Sequence, residues 1–159
     1  MPAPSTPIFP SRTCGSHRTD RPGASVYTIS ARGETRIDRE STRNDWKIAI
    51  EDGTPERLNS LLEDLVKRET KTRSAEFAEL LLPQLQEAGP VLRNSHRNAG
   101  FYVLLAPDVP AVLLELGFLT NDADAKRLQS EKGRKAAVEA IASTIDTYFS
   151  QQDLRLASN

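Results

Sequence analysis

The run Ala111 to Leu116, AVLLEL, constrains this chain more than any other stretch. It is almost wholly apolar, Pro110 precedes it and Gly117 ends it. A short apolar run bounded in this way predicts a strand covered on both faces, as in a parallel sheet. Glu115 lies inside it, and a carboxylate is costly to remove from water unless something pairs with it. In open α/β sheets, sites lie beyond the carboxyl ends of the strands. Glu115 stands near such an end, and Gly117 lets the chain turn at once. Pattern alone leaves two readings of Glu115. It is a general base, or a structural carboxylate held by backbone amides or an arginine.

The flanking segments set the fold class. Ala24 to Ser30, ASVYTIS, alternates and is rich in strand formers, which predicts a strand. Phe101 to Leu105, FYVLL, predicts another buried strand. Between these, Glu34 to Ile50 is highly charged and gives at best a marginal helix that needs a surface to lie on. Thr54-Pro55 opens a helix, with Thr54 as its cap and Pro55 in its first turn. Its apolar stripe runs through Leu58, Leu61, Leu62, Leu65 and Val66, then Phe77, Leu80, Leu81 and Leu85, until Gly89-Pro90 stops it. Pro83 predicts a kink or break near Leu80. Asn121 to Gln129 and Glu131 to Phe149 read as two further helices, and residues 150–159 as a polar tail. Strands alternating with helices indicate an α/β fold.

Charge and length narrow the functional classes. The chain has 159 residues, with 21 Lys and Arg against 22 Asp and Glu. This balance, without a basic block interleaved with aromatics, argues against nucleic acid. No apolar run is long enough for a membrane span. Residues 1–22 are rich in Pro, Ser, Thr and Arg and are expected to be irregular. They lack the basic and apolar regions of a signal peptide, so the sequence as written is expected to stay in the cytoplasm. The single cysteine, Cys14, can form no internal disulfide and reads as incidental.

The stretch from Asn98 to Phe149 resembles the C-terminal signature of the zinc-dependent N-acetylmuramoyl-L-alanine amidases. The resemblance rests on Ala99-Gly100-Phe101, Ala106-Pro107-Asp108-Val109-Pro110, Val112 to Asn121 with its Glu115-Leu116-Gly117-Phe118 core, Asp124, Leu128 and the closing Tyr148-Phe149. Gly23 to Ser30 resembles an earlier strand of the same domain, so the likeness covers residues 23–149. It implies a three-layer α/β domain with a mixed or parallel sheet, here without the family's first strand and helix. It also implies that Glu115 is the catalytic glutamate beside a zinc ion, in an enzyme that cuts peptidoglycan between N-acetylmuramic acid and L-alanine. The resembled enzymes work in the periplasm.

The resemblance implies a His, Glu, His ligand set, and the sequence departs from it. Phe9 and Ser11 align with the strand that carries the last histidine, and Thr13 stands where that ligand belongs. His17 reads as an exposed tail residue and His96 as a surface-loop residue outside the ligand positions. The chain is therefore expected to bind no zinc and to be a truncated, inactive form. Thr13-Cys14-Gly15-Ser16 can be encoded by ACATGCGGATCG, which read one base later spells His-Ala-Asp, the family's own motif. Residues 1–22 are accordingly expected to be an out-of-frame reading, a point the coding DNA decides.

The insertion from Ala31 to Arg73 resembles that of the regulated cell-division amidases, where a helix covers the zinc cleft until an activator with a LytM-type domain displaces it. By this resemblance Trp46 and Ile50 are anchor candidates, and the partners are peptidoglycan and such an activator. The alternative reading is a binding module that engages either partner without hydrolysis.

Overall fold

The computed structural model of the chain describes residues 21–44 and 55–157. Thr13, Cys14, His17, Trp46 and Ile50 therefore lie outside the described residues, as does the irregular or out-of-frame segment up to residue 20.

The sequence ASVYTI forms β1 (Ala24–Ile29), the middle strand of a three-stranded sheet ordered β2-β1-β3. β2 (Val91–Ala99) runs parallel to it and β3 (Leu113–Glu115) antiparallel. α1 (Ala31–Asn44) and α2 (Glu56–Ala88) lie in the crossover from β1 to β2. A single 3-10 turn (Tyr102–Leu104), α3 (Asp122–Gln129) and α4 (Glu131–Ala157) complete the order. The chain is thus an α/β domain with a mixed sheet and flanking helices.

Alternation in β1 divides the core in two. Ala24 and Val26 face α2 and α4, packing with Ala78, Leu81, Leu85 and Ala140. Ile29 faces the other way and packs with Ile37 of α1 and with Leu104 and Leu105, joined by Tyr27, Ala111 and Leu113. Burying each Val, Leu or Ile among these stabilises by roughly 1.5–3 kcal/mol. Helices therefore lie against both faces, and among the described residues α1 meets the second face at the Ile29 end of β1.

Several expectations are corrected. FYVLL is not a strand: Tyr102 and Val103 are exposed, while Leu104 and Leu105 are buried as a plug over Ile29. Both edges of β1 are already occupied, by β2 and β3, so this run finds no partner edge there. Sheet pairing falls instead to VLRNSHRNA, whose polar composition hid it. The AVLLEL strand is only three residues long, half-buried and antiparallel, not parallel and covered on both faces.

The helices differ in detail. α2 continues through Pro83 without a break. Pro83 and Glu79, whose carbonyl loses its donor, are both exposed, so water can satisfy that carbonyl. Its buried stripe is Thr70, Ser74, Ala78, Leu81 and Leu85, whereas Leu58, Leu61 and Leu65 are exposed because the helix begins before it reaches the sheet. Pro55 takes the cap position, with Glu56 first in the helix. α4 runs on through the expected tail to Ala157, and Arg155 reaches Glu76 of α2 at 3.1 Å.

Candidate active site around Glu115

Glu115 ends β3 directly opposite Ser25 of β1, and Leu113 lies opposite Tyr27. Directly opposed residues project from the same face. Ser25, Tyr27 and Glu115 therefore converge, on the face whose far end carries Ile29. The Tyr27 hydroxyl donates to Glu115 Oε2 at 3.1 Å, and Ser25 Oγ donates to the same oxygen at a longer 3.4 Å. Arg97 of β2, in register with Tyr27, donates through Nη1 to the Tyr27 hydroxyl at 3.3 Å. Its guanidinium carbon lies 5.9 Å from the Tyr27 ring centre. The Phe101 ring meets Tyr27 edge-on at 5.4 Å.

Ser25 is fully buried, and Tyr27 and Glu115 are half-buried. Glu115 thus retains access to solvent while fixed hydroxyls hold one oxygen. Because β3 is antiparallel, Glu115 sits at the amino-terminal end of β1, not beyond the carboxyl ends of β1 and β2. Glu115 therefore does not occupy the sheet end at which open α/β sheets build their sites. Its place follows from the hairpin-like register with Ser25.

A second carboxylate anchors this end of the sheet. Asp124, in the first turn of α3, is wholly buried. Its Oδ2 accepts from the amides of Gly23 and Phe118, each at 3.0 Å, and its Oδ1 from Arg127 Nη2 at 3.0 Å. The same Arg127 nitrogen donates to the Leu116 carbonyl at 2.5 Å. One carboxylate thus ties the start of β1 to the turn after β3, the two segments that bring Ser25 and Glu115 together. Burial alone pushes the Asp124 carboxyl up. The Phe118 and Gly23 amides and Arg127 outweigh it and hold the group below the ordinary aspartate value.

Asn121 caps α3, its Oδ1 accepting from the amides of Ala123 and Asp124 at 3.0 and 3.2 Å. Gly117 makes the turn possible. Its φ is +154°, and a Cβ there would lie 2.6 Å from the Asp124 carboxyl carbon. Gly117→Ala is expected to destabilise the fold by about 1–3 kcal/mol from backbone conformation alone, with the clash added. Chemical unfolding measures it, and a change within error of zero contradicts this account of the turn.

His96 is neither in a loop nor beside Glu115. It belongs to β2 in register with Val26, on the opposite face of the sheet. There its Nε2 lies 3.0 Å from the Thr28 hydroxyl, which also donates to Asn98 Oδ1 at 3.0 Å. Among the described residues, no three His, Cys, Asp or Glu side chains are grouped closely enough to hold a metal. Among the described residues, the groups that contact Glu115 directly or through Tyr27 are two hydroxyls and a guanidinium, which do not suit a catalytic zinc needing three anionic or imidazole ligands.

A profile of the Amidase_3 family, N-acetylmuramoyl-L-alanine amidase, matches residues 14–147. The chain belongs to this family. AmiC, an N-acetylmuramoyl-L-alanine amidase of Neisseria meningitidis serogroup B, is 27% identical over 138 residues, covering 84% of this chain and 33% of the relative. AmiA of Escherichia coli K12 is 29% identical over 133 residues, covering 80% and 46%. The chain thus spans a third to just under half of these amidases. The solved structure of Ami1, an amidase from Mycobacterium smegmatis, aligns over 82% of this chain and 48% of its own, with a TM-score of 0.51 at 16% identity, a likeness of fold.

Glu115 lies within the matched region. In the sequence Glu115 stands out as a charge in an apolar run, while Ser25, Tyr27 and Asp124 occur only as motif residues without roles. Ser25 and Tyr27 share a face by simple alternation. Arg97 gave no signal, because its strand was not recognised.

Proposed function

We propose that this chain carries the catalytic-glutamate portion of a peptidoglycan amidase domain, and that by itself it does not hydrolyse the bond. The observation that carries the first part is Glu115, half-buried and held by Tyr27 and Ser25 in the family's matched region. A carboxylate so held can take a proton from the attacking water and return it to the leaving amine of L-alanine. Zinc, where a complete ligand set binds it, supplies an activated water and polarises the carbonyl.

The second part rests on the donor set. The chain has only two histidines, and His96 is engaged with Thr28 on the face away from Glu115. A His, Glu, His centre at Glu115 therefore cannot be drawn from this chain's own residues. The test is incubation of the purified chain, with added zinc, with defined muropeptides. No release of stem peptide with a free L-alanine amino group is expected. Release above the blank overturns the inactive reading.

A regulatory role for the insertion has one observation in its favour. α1 is highly charged and offers one buried apolar side chain, Ile37, to the second core. Its other described ties include the close approach of Gly33 to Ile29 and Gly100, the Gly33 amide to Ser30 Oγ at 3.1 Å, Arg36 to the Gly100 carbonyl at 2.7 Å and an exposed Glu34–Lys71 pair at 2.6 Å. Exposed pairs contribute about 0–1 kcal/mol. By this reading α1, seated at the Ile29 end of the face whose other end carries Glu115, is the segment that a LytM-type activator engages. The proposed substrate, peptidoglycan, requires a compartment that contains it, the periplasm in the resembled amidases. No helix among the described residues is long and apolar enough to cross a membrane.

A further inference from the structure

Three side chains from adjacent strands form a series: the Arg97 guanidinium donates to the Tyr27 hydroxyl, which donates to Glu115 Oε2. We infer that Tyr27 and Arg97 are positioning residues for Glu115, with Arg97 acting on the carboxylate only through Tyr27. The inference rests on the reading of Glu115 as the general base.

The geometry gives each member a defined part. Tyr27 lies in the central strand, paired on both sides, so its backbone is fixed. Its ring is held by the Phe101 edge and by the Arg97 guanidinium. A two-torsion aromatic side chain clamped in this way brings its hydroxyl to one place. Arg97 is itself fixed, since its Nε donates to the Asn94 carbonyl at 2.8 Å. A phenol that accepts from a cation becomes a stronger donor, so the contact with Glu115 tightens. Ser25 Oγ, at 3.4 Å, is the weaker second hold.

The consequence is a carboxylate with one oxygen fixed. A glutamate has several torsions to lose on being placed. Positioning within a small tolerance is what a proton-transferring group requires. A tyrosine without Arg97 would be free to turn its hydroxyl proton elsewhere. Arg97 occupies the acceptor side of that oxygen and leaves the proton directed at Glu115.

The test is carbon NMR of the whole chain, labelled at the glutamate carboxyl carbons. The Glu115 resonance is assigned by its loss in Glu115→Gln. Tyr27→Phe, which keeps the ring, is expected to shift it. Arg97→Gln is expected to shift it too, although Arg97 does not touch Glu115. In the Tyr27→Phe background, Arg97→Gln should lose most of its effect. Arg97→Lys, which keeps the charge but not the guanidinium geometry, should behave like Arg97→Gln. Amide spectra confirm that each variant is folded, and the Lys and Gln variants serve in place of one another if either is not.

An unmoved resonance in Tyr27→Phe overturns the inference. So does an Arg97 effect that is undiminished without the Tyr27 hydroxyl, or one that Lys fully restores, since either result makes Arg97 a distant charge. These readouts need no hydrolysis. The general-base reading of Glu115 fails separately, if Glu115→Gln leaves an active amidase active.

Discussion

Glu115→Gln is expected to lower stem-peptide release by about 10²–10⁴-fold in a chimaera that joins Neisseria AmiC, up to the residue aligned with Pro22, to Gly23 of this chain. The substitution keeps the shape of the side chain and can still accept from Tyr27 and Ser25. It removes only the ability to take and return a proton. The loss should therefore fall on kcat, with KM little changed. Ser25→Ala should cost much less, because the Tyr27 contact is shorter, 3.1 against 3.4 Å. A Glu115→Gln chimaera within about tenfold of the parent would place the general base elsewhere and leave Glu115 a structural carboxylate.

Asp124→Asn carries the largest expected effect on stability. Asp124 has no exposed side-chain surface and binds two backbone amides and Arg127. Removing one partner of such a buried pair costs about 3–5 kcal/mol. Asn can still accept, but its amide nitrogen then faces either an N–H or a guanidinium. Against the roughly 5–15 kcal/mol that stabilises a typical domain, this is a large share. The melting temperature should fall by on the order of 10 °C.

The effect should also depend on pH in one direction. Asp124 is held below the ordinary aspartate value, burial being outweighed by the Phe118 and Gly23 amides and Arg127. Its contribution to stability is complete above that ordinary value and is lost as the pH falls through the lowered one. The difference between parent and variant should be constant near neutrality and shrink in acid. A difference that grows toward acid would mean that the charge of Asp124 does not stabilise the fold.

The parts of the fold that the sequence disclosed were those whose chemistry is local. β1 alternates, α2 and α4 form where apolar residues recur at helical spacing, and Asn121 stands where a cap belongs, although α4 buries Ala137, Ala140, Thr144 and Tyr148 and leaves Val138, Ile145 and Phe149 exposed. The parts it concealed depend on partners distant in the chain. β2 is polar because Thr28, Tyr27 and the β1 backbone satisfy it, so no run of apolar residues marks it. FYVLL has the composition of a strand but no free edge of β1 to join. The direction of β3 could not be read from AVLLEL, and it decides which end of the sheet Glu115 occupies. The same holds for the site. Glu115 announced itself as a charge in an apolar run, whereas the Arg97–Tyr27 pair exists only through the parallel register of β1 and β2.

The donor set within this one chain is the centre of the account, and zinc content tests it most directly. The purified chain is dialysed against trace zinc and its metal measured by elemental analysis. Near-zero zinc per chain is the expected result, given two histidines of which His96 faces away from Glu115. One tightly held zinc per chain would contradict it, and would mean that this chain builds a metal centre from ligands other than the family's set.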